Sequence, residues 1–98
     1  MLPKDFNELT NRQYLSLIDE KGCYICKQPA EIHHNTKNRA YGTKSSDFLA
    51  IPLCPNHHRG QEGIHHIGVK KWESRFGDQD KMSAEVAKMA KESIKNYI

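Results

Sequence analysis

Long apolar segments are missing from this sequence, and apolar residues of any kind are few. Of its 98 residues, 37% are hydrophobic, and the mean hydropathy is −0.81. No stretch could cross a membrane, and the first residues lack the apolar segment of a secretory signal. A chain this short buries little surface, so we expect one cytoplasmic domain over residues 1–98 that needs stabilisation beyond its apolar core.

Cysteine is also scarce, and its odd number excludes a closed set of disulfides. The three cysteines are Cys23, Cys26 and Cys54. Two residues separate Cys23 from Cys26, and two separate Cys54 from His57. Without a secretory signal, such pairs indicate metal ligands, and together they form the Cys3His set of a structural tetrahedral zinc site. The alternative is that these are ordinary buried or surface thiols.

The first half of the chain predicts a helix followed by two strands. Thr10 and Gln13 match a capping box, and the apolar residues after them predict a helix over about 11–21. Apolar segments at 30–34 and 48–53 predict a hairpin with a long polar connection.

The second half predicts helices only. A short helix over 69–76 should end at Gly77, and a last helix over about 79–97 should be capped by Asp78 or Ser83. Its expected buried face consists of Met82, Val86, Met89, Ala90 and Ile94.

The six histidines lie in the same segment as the cysteines, as the doublets His33-His34, His57-His58 and His65-His66. Neighbours on a strand point to opposite faces, so His33 and His34 can have different roles. Neighbours on a helix diverge by about 100°, so His57 can face the zinc while His58 faces the hairpin. We therefore expect a second metal site from His33, His58 and one histidine of the last doublet, with His34 beside it as a general base. The alternative is a strand with one core and one surface histidine.

Several short motifs in one order carry a resemblance to a known family. They are the Cys-x2-Cys turn, Glu-Ile-His-His, Ile-Pro-Leu-Cys, His-His-Arg-Gly, Gly-Ile-His and Trp-x3-Phe-Gly. Over about residues 22–77 the chain resembles an HNH endonuclease of the ββα-metal class and, more narrowly, the small phage and prophage nucleases of the recombination-enhancement, RecA-dependent type. The resemblance implies an α+β fold with a zinc-stapled ββα-metal (His-Me finger) core, a β-hairpin packed on a helix, and flanking N- and C-terminal helices.

The resemblance also implies a hydrolase that cuts DNA phosphodiester bonds and leaves 5′-phosphate and 3′-hydroxyl ends. Its structural zinc would be held by Cys23, Cys26, Cys54 and His57. Its catalytic divalent ion (Mg²⁺, Mn²⁺ or Zn²⁺) would be held by His33, His58 and His65. His34 would deprotonate the attacking water. Candidate phosphate contacts are Arg59, Lys37, Arg39 and Lys44, although the last three are equally consistent with a solvated loop.

One family feature is absent. The resemblance implies an asparagine on the second strand, but the chain reads Phe48-Leu-Ala-Ile-Pro52 there, so we expect Asp47 or a backbone carbonyl to orient His34.

The expected partners are DNA and a RecA-type filament, and a net charge of +3 is compatible with DNA. We expect no membrane association, and we expect a monomer or weak dimer in a bacterial host cell. The alternatives are a non-catalytic zinc-knuckle module that binds DNA or a recombination protein, and a structural zinc domain of a phage assembly.

Overall fold

A short antiparallel hairpin lies among helices in an α+β arrangement. The computed structural model describes residues 6–36 and 46–95. Its elements in chain order are a 3-10 turn at Phe6–Glu8, α1 (Asn11–Asp19), β1 (Glu31–His33), a 3-10 turn at Asp47–Leu49, β2 (Ile51–Leu53), α2 (Pro55–His58), α3 (Ile64–Ile67), α4 (Val69–Phe76) and α5 (Gln79–Lys95). Within these ranges, every helix is too short or too polar to span a bilayer.

The hairpin is too short to be stable alone, since each strand has three residues. Glu31 pairs with Leu53, and His33 pairs with Ile51. Side chains alternate along β1, so Glu31 and His33 face α2 while Ile32 packs against the apolar cluster under α1 and α5. All three residues of β2 are buried, and α2 packs on both strands. The hairpin therefore depends on the helices that cover it.

The predicted capping box opens α1. Thr10 Oγ1 accepts a hydrogen bond from the amide of Gln13 at 3.1 Å, and Gln13 Oε1 accepts from the amide of Thr10 at 2.9 Å. The helix ends at Asp19, two residues earlier than predicted, and Gly22 then adopts a φ of +78°. A Cβ atom at Gly22 would lie 2.6 Å from the carbonyl oxygen of Lys27, so glycine lets the chain turn into the cysteine pair.

Two apolar clusters form the core. The first lies between α1 and α5 and contains Leu9, Tyr14, Leu17, Ile18, Ala50, Val86, Ala90 and Ile94. The second lies behind the hairpin and contains Cys23, Ile51, Leu53, Cys54, Ile64, Trp72 and Met82. Four of the five predicted residues of the α5 face are buried, and Met89 is half-buried. Because α5 contributes Met82 to one cluster and Val86 to the other, this helix joins them.

Some predicted boundaries were wrong. The strand expected over 48–53 begins at Ile51, because Ser46 Oγ accepts from the amide of Phe48 and starts a 3-10 turn. The helix over 69–76 was predicted correctly and stops at Gly77, whose φ is +119°. Asp78 Oδ1 accepts from the amide of Asp80 at the start of α5, whereas Ser83 is buried within that helix and does not cap it.

Candidate metal centres

Four side chains of the predicted Cys3His set come together at one end of the hairpin. Cys23 and Cys26 lie in the turn before β1, Cys54 follows β2, and His57 lies on α2. The sulfur atoms of Cys26 and Cys54 are 3.7 Å apart, and His57 Nδ1 lies 3.1 Å from the sulfur of Cys54. Tetrahedral zinc with bonds of about 2.3 Å to sulfur would separate two sulfurs by about 3.8 Å. This cluster could therefore bind a metal ion such as zinc.

The backbone of the cysteine turn prepares it for this role. The amide of Ile25 donates to the sulfur of Cys23 at 3.4 Å, and Lys27 takes a φ of +68° that closes the turn. Burial raises the pKa of the Cys23 thiol, whereas hydrogen bonds lower it. These bonds come from the backbone of Cys54, Cys26 and Ile25 and from the Cys26 side chain. Their combined effect is larger than that of burial, so the net shift of the pKa is downward. The thiolate, which is the form that binds metal, is thus favoured at this position.

Three further histidines meet on the other side of α2. The ring centroids of His33 and His58 are 5.1 Å apart, those of His33 and His65 are also 5.1 Å apart, and those of His58 and His65 are 4.7 Å apart. One nitrogen from each ring lies within 4.8 Å of the others, an arrangement that could hold one ion. We call this trio the three-histidine cluster.

A tight turn between α2 and α3 places His65 in this cluster. A Cβ atom at the buried Gly63 would lie 2.5 Å from the amide nitrogen of Arg59 and 2.7 Å from the carbonyl carbon of His58. Glycine is therefore required for α3 to approach the end of α2 this closely. Of the two histidines left open by the sequence, His65 joins the cluster, and His66 is an exposed neighbour outside it.

Burial keeps part of this cluster uncharged. It lowers the pKa of His33 to about 4, with smaller contributions from the neighbouring histidines, although a hydrogen bond to Gln79 opposes the shift. Burial and His58 likewise lower the pKa of His65. His33 Nδ1 is buried without a hydrogen-bond partner among the described residues. A neutral imidazole with a free nitrogen is the form that binds a divalent ion.

Glu31 fixes the orientation of His58. The pKa of Glu31 is lowered to about 2 by hydrogen bonds from Arg59 and His58, so the carboxylate can only accept. His58 Nδ1 therefore carries the proton that it donates to Glu31 Oε1 at 2.8 Å, which leaves Nε2 free for an ion. Sequence reasoning missed Glu31, although its position two residues before His33, on the same strand face, was a signal.

His34 is not one of the three clustered histidines, and its ring contacts a carboxylate. Its Nε2 lies 2.7 Å from Asp47 Oδ1, and the side-chain Nδ2 of Asn11 donates to Asp47 Oδ2 at 3.1 Å. The expected contact between Asp47 and His34 is present, and the role of Asp47 in place of an asparagine stays a prediction. The His34 side chain is 41% exposed, so its ring is accessible from solvent.

The comparison with protein families gives one match, which covers residues 1–93 and is described as "Protein of unknown function (DUF968)". The chain belongs to the DUF968 family. No curated protein and no solved structure is detectably similar to it.

Of the predicted phosphate contacts of this DUF968 chain, Arg59 lies within the described residues, and its contact with phosphate stays a prediction. Arg59 donates from Nε to Glu31 Oε1 at 2.7 Å and from Nη2 to Glu31 Oε2 at 3.3 Å. The Arg59 side chain is nevertheless 66% exposed, so part of its guanidinium is accessible from solvent. Lys37, Arg39 and Lys44 lie outside the described residues. Gln79, which sequence reasoning also missed, binds His33 from α5, 46 positions along the chain.

Proposed function

We propose that this chain is a metal-dependent DNA endonuclease of the HNH type, with a histidine general base and one catalytic divalent ion. The observation that carries the proposal is the three-histidine cluster beside a complete Cys3His set. A structural or binding zinc knuckle needs four ligands and has no use for a second, converging set of imidazoles.

The order of elements supports assignment to the ββα-metal class. The first candidate ligand of the three-histidine cluster is at the end of β1, β2 pairs with that strand, and α2 follows directly with the second ligand. The Cys3His set beside the hairpin and the flanking helices α1 and α5 support this assignment, because the resemblance to HNH endonucleases implies the same arrangement.

Each residue would have a defined part in hydrolysis. His33, His58 and His65 would hold the ion, and three imidazoles favour Zn²⁺ over Mg²⁺. A bound ion would supply positive charge to a non-bridging phosphate oxygen and to the leaving 3′ oxygen. Asp47 would accept from His34 Nε2–H, so that His34 Nδ1 takes a proton from the attacking water. The water oxygen bonds to phosphorus as the bond to the 3′ oxygen breaks, and that oxygen takes a proton from solvent.

The proposed substrate is DNA, because the resemblance implies it and a net charge of +3 is compatible with a polyanion. The exposed part of Arg59 would contact a phosphate near the three-histidine cluster. Dependence on a RecA-type filament and a phage or prophage origin rest on the resemblance alone.

The experiment is cleavage of supercoiled plasmid after EDTA treatment and re-addition of Zn²⁺, Mn²⁺ or Mg²⁺, with bound zinc quantified. Wild type should cut. His34→Ala should retain its zinc and cut about 10²- to 10⁴-fold more slowly, because the general base is lost. His66→Ala is the matched control, since it removes an exposed histidine outside both clusters, and it should cut like wild type.

Absence of cleavage would distinguish the nuclease from the alternative function. If wild type does not cut, the assay is repeated with a recombinase filament on single-stranded DNA. Absence of cleavage there too would reject the nuclease and favour the non-catalytic zinc-knuckle module that binds DNA or a recombination protein. Equal cleavage by wild type and His34→Ala would reject His34 as the base.

A further inference from the structure

Gln79 is a fully buried polar side chain in the first turn of α5, outside the segment that resembles HNH endonucleases. Its side chain reaches back to the end of β1 and contacts two residues. Gln79 Oε1 lies 2.8 Å from His33 Nε2 and 3.2 Å from the amide nitrogen of Thr36, and Gln79 Nε2 donates to Thr36 Oγ1 at 2.8 Å.

These contacts determine which way the carboxamide points. A backbone N–H can only donate, so the Gln79 atom that faces the amide of Thr36 must be the oxygen. The same oxygen faces His33 Nε2. Because a carboxamide oxygen can only accept, Nε2 must carry a hydrogen.

The tautomer of His33 follows from this. A neutral imidazole has one N–H, so protonation of Nε2 leaves Nδ1 as a bare lone pair. That Nδ1 is the buried ring nitrogen without a hydrogen-bond partner in the described part of the chain. It belongs to the ring that lies 5.1 Å from both His58 and His65. A buried acceptor without a partner is costly, and a bound cation would satisfy it.

We propose that Gln79 is a positioning residue for the three-histidine cluster: it holds His33 as the Nε2–H tautomer and keeps Nδ1 free for the ion. The inference deepens the proposed function and rests on its ion site. Gln79 and Glu31 then have equivalent tasks, since each fixes one ligand histidine from behind.

The position of Gln79 is itself held by its neighbours. The backbone N–H of Gln79 donates to Glu73 Oε2 at 2.8 Å, which fixes the start of α5. On the same helix, Ser83 accepts a hydrogen bond from Asn35 Nδ2 at 3.0 Å and donates one to the carbonyl oxygen of Leu49. Ser83 thus binds the same strand end without contacting a histidine, which makes it a matched control.

The test uses the 98-residue chain with one zinc bound and measures Co²⁺ binding to the three-histidine cluster by calorimetry. Gln79→Leu keeps the bulk of the side chain but removes the acceptor, and it should weaken Co²⁺ binding by about 10- to 100-fold. Gln79→Glu restores an acceptor for His33 Nε2–H and should recover most of the affinity. Ser83→Ala should bind Co²⁺ like wild type. Circular dichroism and zinc content show that each variant is folded.

A second readout is independent of activity. Nitrogen-15 NMR of zinc-loaded wild type without Co²⁺ should report a protonated Nε2 and a bare Nδ1 for His33. In Gln79→Leu the proton should move towards Nδ1, where the other two rings offer acceptors.

Three results would overturn the inference. They are equal Co²⁺ affinity in Gln79→Leu and wild type, no recovery in Gln79→Glu, or a protonated Nδ1 in wild type. Each would leave the proposed nuclease intact if wild type still binds Co²⁺. Failure of wild type to bind Co²⁺ would instead remove the ion site, and the proposed function and this inference with it.

Discussion

At the scale of single residues, Tyr14 combines tight packing with an unmet polar group. Its ring lies 4.8 Å from that of Phe48 and 5.7 Å from that of Phe6, measured between centroids. Its hydroxyl is buried and has no hydrogen-bond partner within residues 6–36 and 46–95. Burial also raises the pKa of Tyr14 from 10.0 to about 12. The aromatic ring stabilises the fold, whereas the hydroxyl adds a desolvation cost.

We therefore expect Tyr14→Phe to leave the free energy of unfolding at pH 7 unchanged or to raise it by up to about 1 kcal/mol. The unfolded chain loses the Tyr14 proton above its ordinary pKa of 10.0, while the folded chain keeps it up to about 12. Wild type should thus lose stability as pH rises across that interval, and the variant should lose less. Urea denaturation of both proteins at pH 7, 10 and 11 checks this. A clear loss of stability in Tyr14→Phe at pH 7 would mean that the hydroxyl has a partner.

At the scale of elements, the turn between α2 and α3 determines whether the histidines converge. The three atoms nearest to a Cβ at Gly63 belong to the backbone of His58 and Arg59, so movement of a side chain cannot relieve these contacts. The backbone must therefore shift to remove the overlap, and a shift of α3 would move His65, which lies on that helix.

Gly63→Ala should consequently reduce the free energy of unfolding by about 1–3 kcal/mol and weaken ion binding at the three-histidine cluster. Chemical denaturation and Co²⁺ calorimetry measure the two effects. The control is Gln61→Ala, an exposed position in the same turn, which should change neither. Equal stability of Gly63→Ala and wild type would show that the turn relaxes without cost.

The elements also show what the sequence can predict. The capping box of Thr10 and Gln13 and the end of α4 at Gly77 depend on neighbours within a few positions, and both predictions were confirmed. The predicted start of the second strand was wrong, because Ser46, five residues before Ile51, caps a 3-10 turn that competes with the strand. Of the site, spacing predicted the Cys3His set and the pairing of His33 and His58 with one histidine of the last doublet. The choice of His65 over His66 came from the resemblance, and the supports of both sets could not be predicted. Gln79 reaches His33 across 46 positions, and no local pattern records such a contact.

At the scale of the whole molecule, the Cys3His set joins segments that the small core holds weakly. It links the turn at Cys23–Cys26 to the end of β2 and to α2. Structural zinc contributes about 10–16 kcal/mol in small zinc domains, which is as large as the about 5–15 kcal/mol of total stability of an ordinary protein. With 37% hydrophobic residues, this chain has little apolar burial that could compensate for the loss of the stabilisation by zinc.

Removal of zinc with a strong chelator should therefore unfold much of the chain, and re-addition of one equivalent should restore it. Circular dichroism in the far ultraviolet, with zinc measured by elemental analysis, checks this. Cys26→Ser should behave like the chelated protein, because Cys26 is exposed and its loss removes a ligand without opening a cavity. An unchanged thermal transition in protein shown to be zinc-free would contradict the expectation.

The adjacency of His57 and His58 on α2 has an evolutionary consequence. One residue belongs to the Cys3His set and the next to the three-histidine cluster. An insertion or deletion between Cys54 and His57 would turn both histidines by about 100° relative to Cys54 and would disturb both sites. Neither site can drift in position without the other. Members of the family that retain both sites should thus keep the number of residues from Cys54 to His58 fixed, whatever length changes they accumulate elsewhere.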